Sequence, residues 1–142
     1  MKKIAIIFWT STGNTEEMAN AILKGANEEH ADVRLMNVSE ITGSEALDYD
    51  VLVLGCPAMG AETLDESEME PFFAEVETGL SGKDVALFGS YGWGDGEWMR
   101  TWQDRVTAAG GNLIQDGVIA NNMPDDDALE ECRQLGIAVA KL

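Results

Sequence analysis

Apolar residues along this chain fall into short dense runs, separated by stretches whose apolar positions recur at helical spacing. "KIAIIFW" (3–9) is an unbroken apolar run of strand length, as expected for a strand buried on both faces. "DVLVLGC" (50–56) and "DVALFGS" (84–90) have the same character, "DVRLMNV" (32–38) alternates, and "GNLIQDGVI" (111–119) predicts a weaker fifth strand. Between the first two strands Met18, Ala19, Ile22 and Leu23 carry a helical period, with Gly25 expected near the helix end. Phe72, Phe73 and Val76 predict a helix that begins before Pro71, a residue best tolerated in a first turn. Further helices are expected over 97–109 and 126–140. No internal repeat or low-complexity linker is visible.

Strands alternating with helices predict an α/β fold, a parallel sheet covered on both faces by right-handed crossovers. Ligands in such sheets sit outside the carboxyl ends of the strands, at the switch in strand order. Three loops therefore matter, those after the first, third and fourth strands: 10–15, 57–66 and 90–97.

The first, "TSTGNT" (10–15), joins a strand end to a helix start, where free backbone N–H groups favour an anion. Gly13 permits close approach of the backbone. Thr10, Ser11, Thr12 and Thr15 supply four hydroxyls in six residues, more than the single one that a helix cap requires. The pattern G-x-x-x-x-G-K-S/T is absent, as is G-x-G-x-x-G, so no lysine addresses a γ-phosphate. A phosphate held by neutral donors alone is expected to be a terminal monoester, retained and not transferred. In "SYGWGDGEW" (90–98) Trp93 stands in a glycine-rich loop as a candidate plate for a planar ligand. Trp98 and Trp102, four apart on a predicted helix, are expected in the core. "CPAMGAETLDE" (56–66) adds Met59, suited to an aromatic face, Gly60, able to take positive φ, and Glu62, able to accept from a ring N–H.

Length and charge narrow the setting. A chain of 142 residues is one domain with room for a substantial core. Its net charge of −17 opposes binding to nucleic acid or anionic membranes and favours partners with basic patches. No basic residue lies between Arg34 and Lys83, while Glu40, Glu45, Asp48, Asp50, Glu62, Asp65, Glu66, Glu68, Glu70, Glu75 and Glu77 all do. A one-signed surface suited to electrostatic docking is expected there. Cys56 and Cys132 lack C-x-x-C spacing and read as reduced thiols. "MKKIAIIFW" begins like a signal peptide, but its apolar stretch ends too soon, and no run approaches a membrane span. A soluble cytoplasmic protein is expected, with the lone His30 on its surface.

At the three loops the chain resembles the flavodoxins of the short-chain type, close to those of anaerobic bacteria. T-S-T-G-N-T matches the T/S-x-T-G-x-T phosphate loop of that family, and "CPAMG" and "GSYGWGDGEWM" match its two flavin loops over a full-length similarity. The resemblance implies a flavodoxin-like doubly wound five-stranded parallel sheet of order 2-1-3-4-5, for which flavodoxin is itself a standard example. It implies noncovalent flavin mononucleotide (FMN), with Thr10, Ser11, Thr12, Gly13, Asn14 and Thr15 on the phosphate. Pro57, Ala58, Met59, Gly60, Ala61, Glu62, Gly89, Trp93, Gly94 and Gly96 would frame the isoalloxazine ring, and Ser90 and Asn122 would meet the ribityl chain. It further implies a monomeric one-electron carrier, cycling between neutral semiquinone and hydroquinone at low potential. Such a carrier substitutes for ferredoxin, docks on basic faces of redox proteins and turns over no substrate of its own.

In the family the Gly60–Ala61 peptide would flip so that its carbonyl accepts from N5–H in one redox state. A net hydrogen bond of roughly 1 kcal/mol corresponds to several tens of millivolts at ~59 mV per ~1.4 kcal/mol. Each carboxylate about 10 Å from an anionic reduced ring opposes it by ~0.4 kcal/mol before screening. Glu62, Asp65, Glu66, Asp95 and Glu97 are expected to act in this way, and a cation-free phosphate loop has the same sense. The alternative is an FMN enzyme on the same fold, a quinone reductase or oxygen-reducing activator subunit, but such an enzyme needs open space above the ring. A receiver domain needs acidic residues after the first strand, where Thr10 and Ser11 stand, and a low-molecular-weight phosphatase needs arginine six residues after cysteine, where Glu62 stands.

Overall fold

The computed structural model describes residues 1–142. Strand β1 (Lys3–Phe8) leads to helix α1 (Asn14–Glu28), and β2 (Asp32–Asn37) to a 3-10 turn (Val38–Glu40) and α2 (Gly43–Ala46). Then come β3 (Val51–Gly55), α3 (Met69–Glu77), β4 (Asp84–Tyr91), α4 (Glu97–Ala108), β5 (Asn112–Leu113), β6 (Val118–Asn121) and α5 (Asp126–Ala140). All pairings are parallel, in the order β2-β1-β3-β4-β5, with β6 also on β4. This is the expected 2-1-3-4-5 sheet.

The period of two along each strand divides the core. Ile4, Ile6, Phe8, Val51, Val53, Ala86 and Phe88 pack under α1 and α5, through Met18, Ile22, Leu135 and Val139. Ala5, Ile7, Leu52, Leu54, Val85 and Leu87 face the other way, against Phe72, Phe73 and Val76 of α3 and Trp98, Trp102 and Val106 of α4. Cys56 and Cys132 fall in opposite halves, so both are free, and burial pushes each thiol up to about 12.

Three features go beyond the sequence pattern. The fifth strand is split, because β4 advances three residues from Val85 to Phe88 while its neighbour advances five from Leu113 to Val118. The two extra residues bulge out, and the Gly117 N–H donates to Gln103 Oε1 of α4 at 2.7 Å. The segment before β3, where the hydrophobic pattern predicts no element, forms two short turns, each closed by a capping box, Asn37 with Glu40 and Thr42 with Glu45. Gly25 lies in the last turn of α1, near its end at Glu28 as expected, but for a reason other than capping. It lies where α1 crosses α5: a Cβ on Gly25 would overlap the Arg133 carbonyl, and one on Gly136 that of Ile22.

The Gly136→Ala variant should therefore lose about 1–3 kcal/mol of stability from overpacking, despite gaining helix propensity of up to ~1 kcal/mol. Urea denaturation would show it as a lower midpoint at unchanged slope.

Candidate cofactor site

The loop after β1 opens onto a helix start that no side chain caps. Gly13 is the N-cap of α1 at φ 97°, and space around its Cα is open, with nothing within 4 Å of a Cβ placed there. Thr12 and Thr15 are thus not helix caps, and the first-turn N–H groups keep their hydrogen-bonding capacity. The four hydroxyls divide into two kinds. Thr10 Oγ1 accepts the Gly13 N–H at 3.0 Å and shapes the loop, while Ser11 and Thr12 are exposed. Thr15 is buried, its Oγ1 3.1 Å from Ser90 Oγ, which ties this loop to β4. No ion pair involves residues 10–15, and Glu16 and Glu17 follow in the first turn.

After β3 the ladder runs on: the N–H groups of Cys56 and Ala58 donate to the carbonyls of Phe88 and Ser90 at 3.1 and 2.9 Å. Pro57 is buried between them. Met59 and Thr63 then exchange two backbone bonds of 2.8 Å, closing a turn of Gly60, Ala61 and Glu62. Gly60 has the expected positive φ, 51°, and both it and Ala61 are exposed. Glu62 also has positive φ, 55°, which nothing in the sequence announced; such a conformation costs a non-glycine residue on the order of 1 kcal/mol. Its Oε1 accepts the Glu97 N–H at 3.2 Å, across the gap between the two loops. Its carboxyl carbon stands 2.6 Å from where a Cβ of Gly94 would be.

The loop after β4 carries Trp93 at 66% exposure, whereas Trp98 and Trp102 are buried. Gly96 is the N-cap of α4, and Asp95 pairs with Arg100 at 3.0 Å. Gly89 lies beneath the site: it is buried, and a Cβ there would overlap the Cys56 carbonyl. A fourth segment joins the group, since the Asn122 N–H donates to the Tyr91 carbonyl at 2.7 Å and its Oδ1 lies beside Gly92. Ile119 and Met123 are exposed here, Ile119 next to Gly96. Sequence reasoning missed both; nothing in the pattern marks an outward Ile at a sheet edge. A surface depression of about 490 Å³ lies elsewhere, along β2 between Lys3, Arg34 and Tyr49, with a lining of mixed charge and no residue of these loops.

The acidic run between Arg34 and Lys83 is less free than its composition suggests. Glu40, Glu45, Asp50, Glu62, Asp65 and Glu75 accept backbone N–H groups, Glu68 accepts from the Trp9 indole, and Arg105 clamps Glu70 and Glu77. Asp48 and Glu66 make no such bond. Asp65 is buried, so its role is local: Oδ2 accepts from Glu68 and Met69 at 2.8 and 3.1 Å at the start of α3. Burial pushes its carboxyl up, but the Met69 N–H, the Ser67 hydroxyl and the Glu68 N–H together outweigh that and hold it below the usual carboxylate range. Its contribution is therefore complete above its unfolded value of about 4 and is lost as pH falls through the lower folded one. Asp65→Asn should cost about 1 kcal/mol at neutral pH, and denaturation curves should show the deficit shrinking below about pH 4.

Known proteins resemble this chain over nearly its whole length. A family profile described as Flavodoxin matches residues 6–136. The chain is 48% identical over 137 residues to a flavodoxin of Clostridium beijerinckii, covering 96% of this chain and 99% of that one. It is 44% identical over 138 residues to a flavodoxin of Megasphaera elsdenii, with 97% and 98% covered. The solution structure of two-electron reduced Megasphaera elsdenii flavodoxin superposes with a TM-score of 0.90 at 45% identity, over 98% of this chain and 99% of that one. Fold and likeness agree over nearly the whole length, and the chain belongs to the flavodoxin family of FMN-containing, low-potential electron-transfer proteins.

Proposed function

We propose that residues 10–15 hold the FMN phosphate, that residues 57–62 with Gly89, Trp93, Gly94 and Gly96 frame the ring, and that Ser90 and Asn122 meet the ribityl chain. The observation that carries this reading is the uncapped start of α1, open above Gly13, at the carboxyl end of the inner strand β1. The residues present fit the group. The first-turn N–H groups of α1, with the hydroxyls of Ser11 and Thr12, offer a monoester neutral donors in a direction where the helix dipole favours an anion. Trp93 offers an exposed indole, and Met59 a soft thioether, to a flat ring. The exposed Gly60–Ala61 peptide, next to a glycine at φ 51°, can present its carbonyl to a ring N–H at small cost. Glu62 gives Oε1 to the Glu97 N–H and keeps Oε2 for a second ring N–H.

Bound FMN supplies one-electron chemistry at low potential. Arg100, at the start of α4 beside the third loop, is engaged by Asp95 at 3.0 Å.

The physiological partners are redox proteins, and we assign them basic docking faces of the kind that ferredoxin-dependent enzymes present. Asp125, Asp127 and Glu131 are exposed, stand outside the ion pairs and border Ile119 and Met123. A partner with an apolar centre ringed by Lys or Arg complements that surface.

Two outcomes check these assignments. A visible redox titration of the purified protein should resolve two separated one-electron steps, and FMN should bind ~100-fold more tightly than riboflavin if two charge-assisted bonds of ~1.5 kcal/mol hold the phosphate. A colourless protein that takes up no FMN would overturn the site assignment. Electron transfer to a basic redox protein, followed by stopped flow, should slow steeply as ionic strength rises; a flat salt dependence would overturn the docking assignment.

A further inference from the structure

We infer that Trp98 is a positioning residue for the loop carrying Met59 to Glu62, acting through one buried hydrogen bond to the Cys56 carbonyl. The inference rests on the reading that residues 57–62 frame the ring. Cys56 is the last residue before that loop, and each of its polar groups is engaged. Its N–H donates to the Phe88 carbonyl at 3.1 Å, and its carbonyl accepts from Trp98 Nε1 at 3.0 Å. Its Sγ accepts the Asp65 N–H at 3.4 Å, so both ends of the loop meet on one residue. Burial keeps the thiol protonated, and its S–H points to the Pro57 carbonyl at 3.4 Å.

Trp98 stands on α4, whose first residue follows directly on the loop that carries Trp93. Its indole therefore ties the two ring-framing loops together from beneath. Gly89 makes the tie possible: a Cβ there would overlap the Cys56 carbonyl and lie 3.2 Å from Trp98 Cζ2. The Glu62–Glu97 bond ties the same loops at the exposed rim, where water competes for both partners. The buried bond has no such competitor, and breaking it strands a carbonyl, so it sets the spacing that the outer bond follows.

Trp102, one turn further along α4, supplies the internal comparison. It is as buried as Trp98, yet its Nε1 has no partner. Burying an indole on this helix does not by itself require an acceptor, so the Trp98 bond is a specific feature and not a by-product of packing.

The test compares Trp98→Phe with Trp102→Phe, which remove the same ring volume but only one hydrogen bond. Trp98→Phe should speed amide exchange at Asp65 and at residues 58–63 about tenfold and weaken FMN binding about tenfold. It should also reduce the equilibrium constant separating the two one-electron potentials about tenfold, ~59 mV at n = 1. Affinity for inorganic phosphate should not change. Trp102→Phe should lower the denaturation midpoint and move none of these readouts. Equal effects of the two variants on exchange and potentials would overturn the inference. Should Trp98→Phe fail to fold, replacing the indole by a benzothiophene of the same shape deletes only the N–H and gives the same readouts. A wild-type protein that binds no FMN would defeat the site assignment instead, while the exchange comparison in the flavin-free protein would still decide the role of Trp98.

Discussion

A strand buried on both faces has no water for its N–H and C=O groups, so β1, β3 and β4 can exist only inside a ladder with both neighbours present. That requirement governs the molecule. Each fully buried Ile, Leu or Val contributes about 1.5–3 kcal/mol, against ~1–2 kcal/mol of backbone entropy lost in ordering it. The central strands are therefore net stabilising, and helices must cover both sides of them. Parallel pairing then sends every crossover to the same end of the sheet and delivers the loops after β1, β3 and β4 to one edge.

Those loops bury little apolar surface and keep their shapes by hydrogen bonds. Thr10 closes the first on Gly13, Thr15 ties it to Ser90, Met59 and Thr63 close the second, and Glu62 and Trp98 bind the second to the third. Carboxylates carry a large share of this local work. In a chain of net charge −17, most acids of the basic-free run between Arg34 and Lys83 lie at helix starts, on exposed N–H groups or in the Arg105 clamp. Placed there, negative charge meets the positive ends of N–H dipoles, which offsets part of the self-repulsion of so acidic a chain. The surface remains acidic, but it is acidic with local structural reasons.

Much of this was legible in the sequence because it is local or periodic. Dense apolar runs located β1, β3 and β4 and the sheet they imply, and four hydroxyls around Gly13 located the first loop. Trp93 could be told from Trp98 and Trp102 because glycines surround it while the other two keep helical spacing. The capping box T-x-x-E at Thr42 was also in plain view and marks an element that hydrophobic pattern alone passes over. Other features depend on which distant atoms come together. Gly25 reads in one dimension as a residue near a helix end, and in three it is also a helix crossing, because only the approach of α5 excludes a side chain there. The break between β5 and β6 answers to Gln103 on α4, and the exposure of Ile119 to its place on a strand paired on one side only. The sequence by itself determined which segments bury their side chains and which loop carries the anion-type donors, since periodicity and residue chemistry are written along the chain. Tertiary structure alone decided which indole has an acceptor and how the loops are tied, since those bonds join residues tens of positions apart.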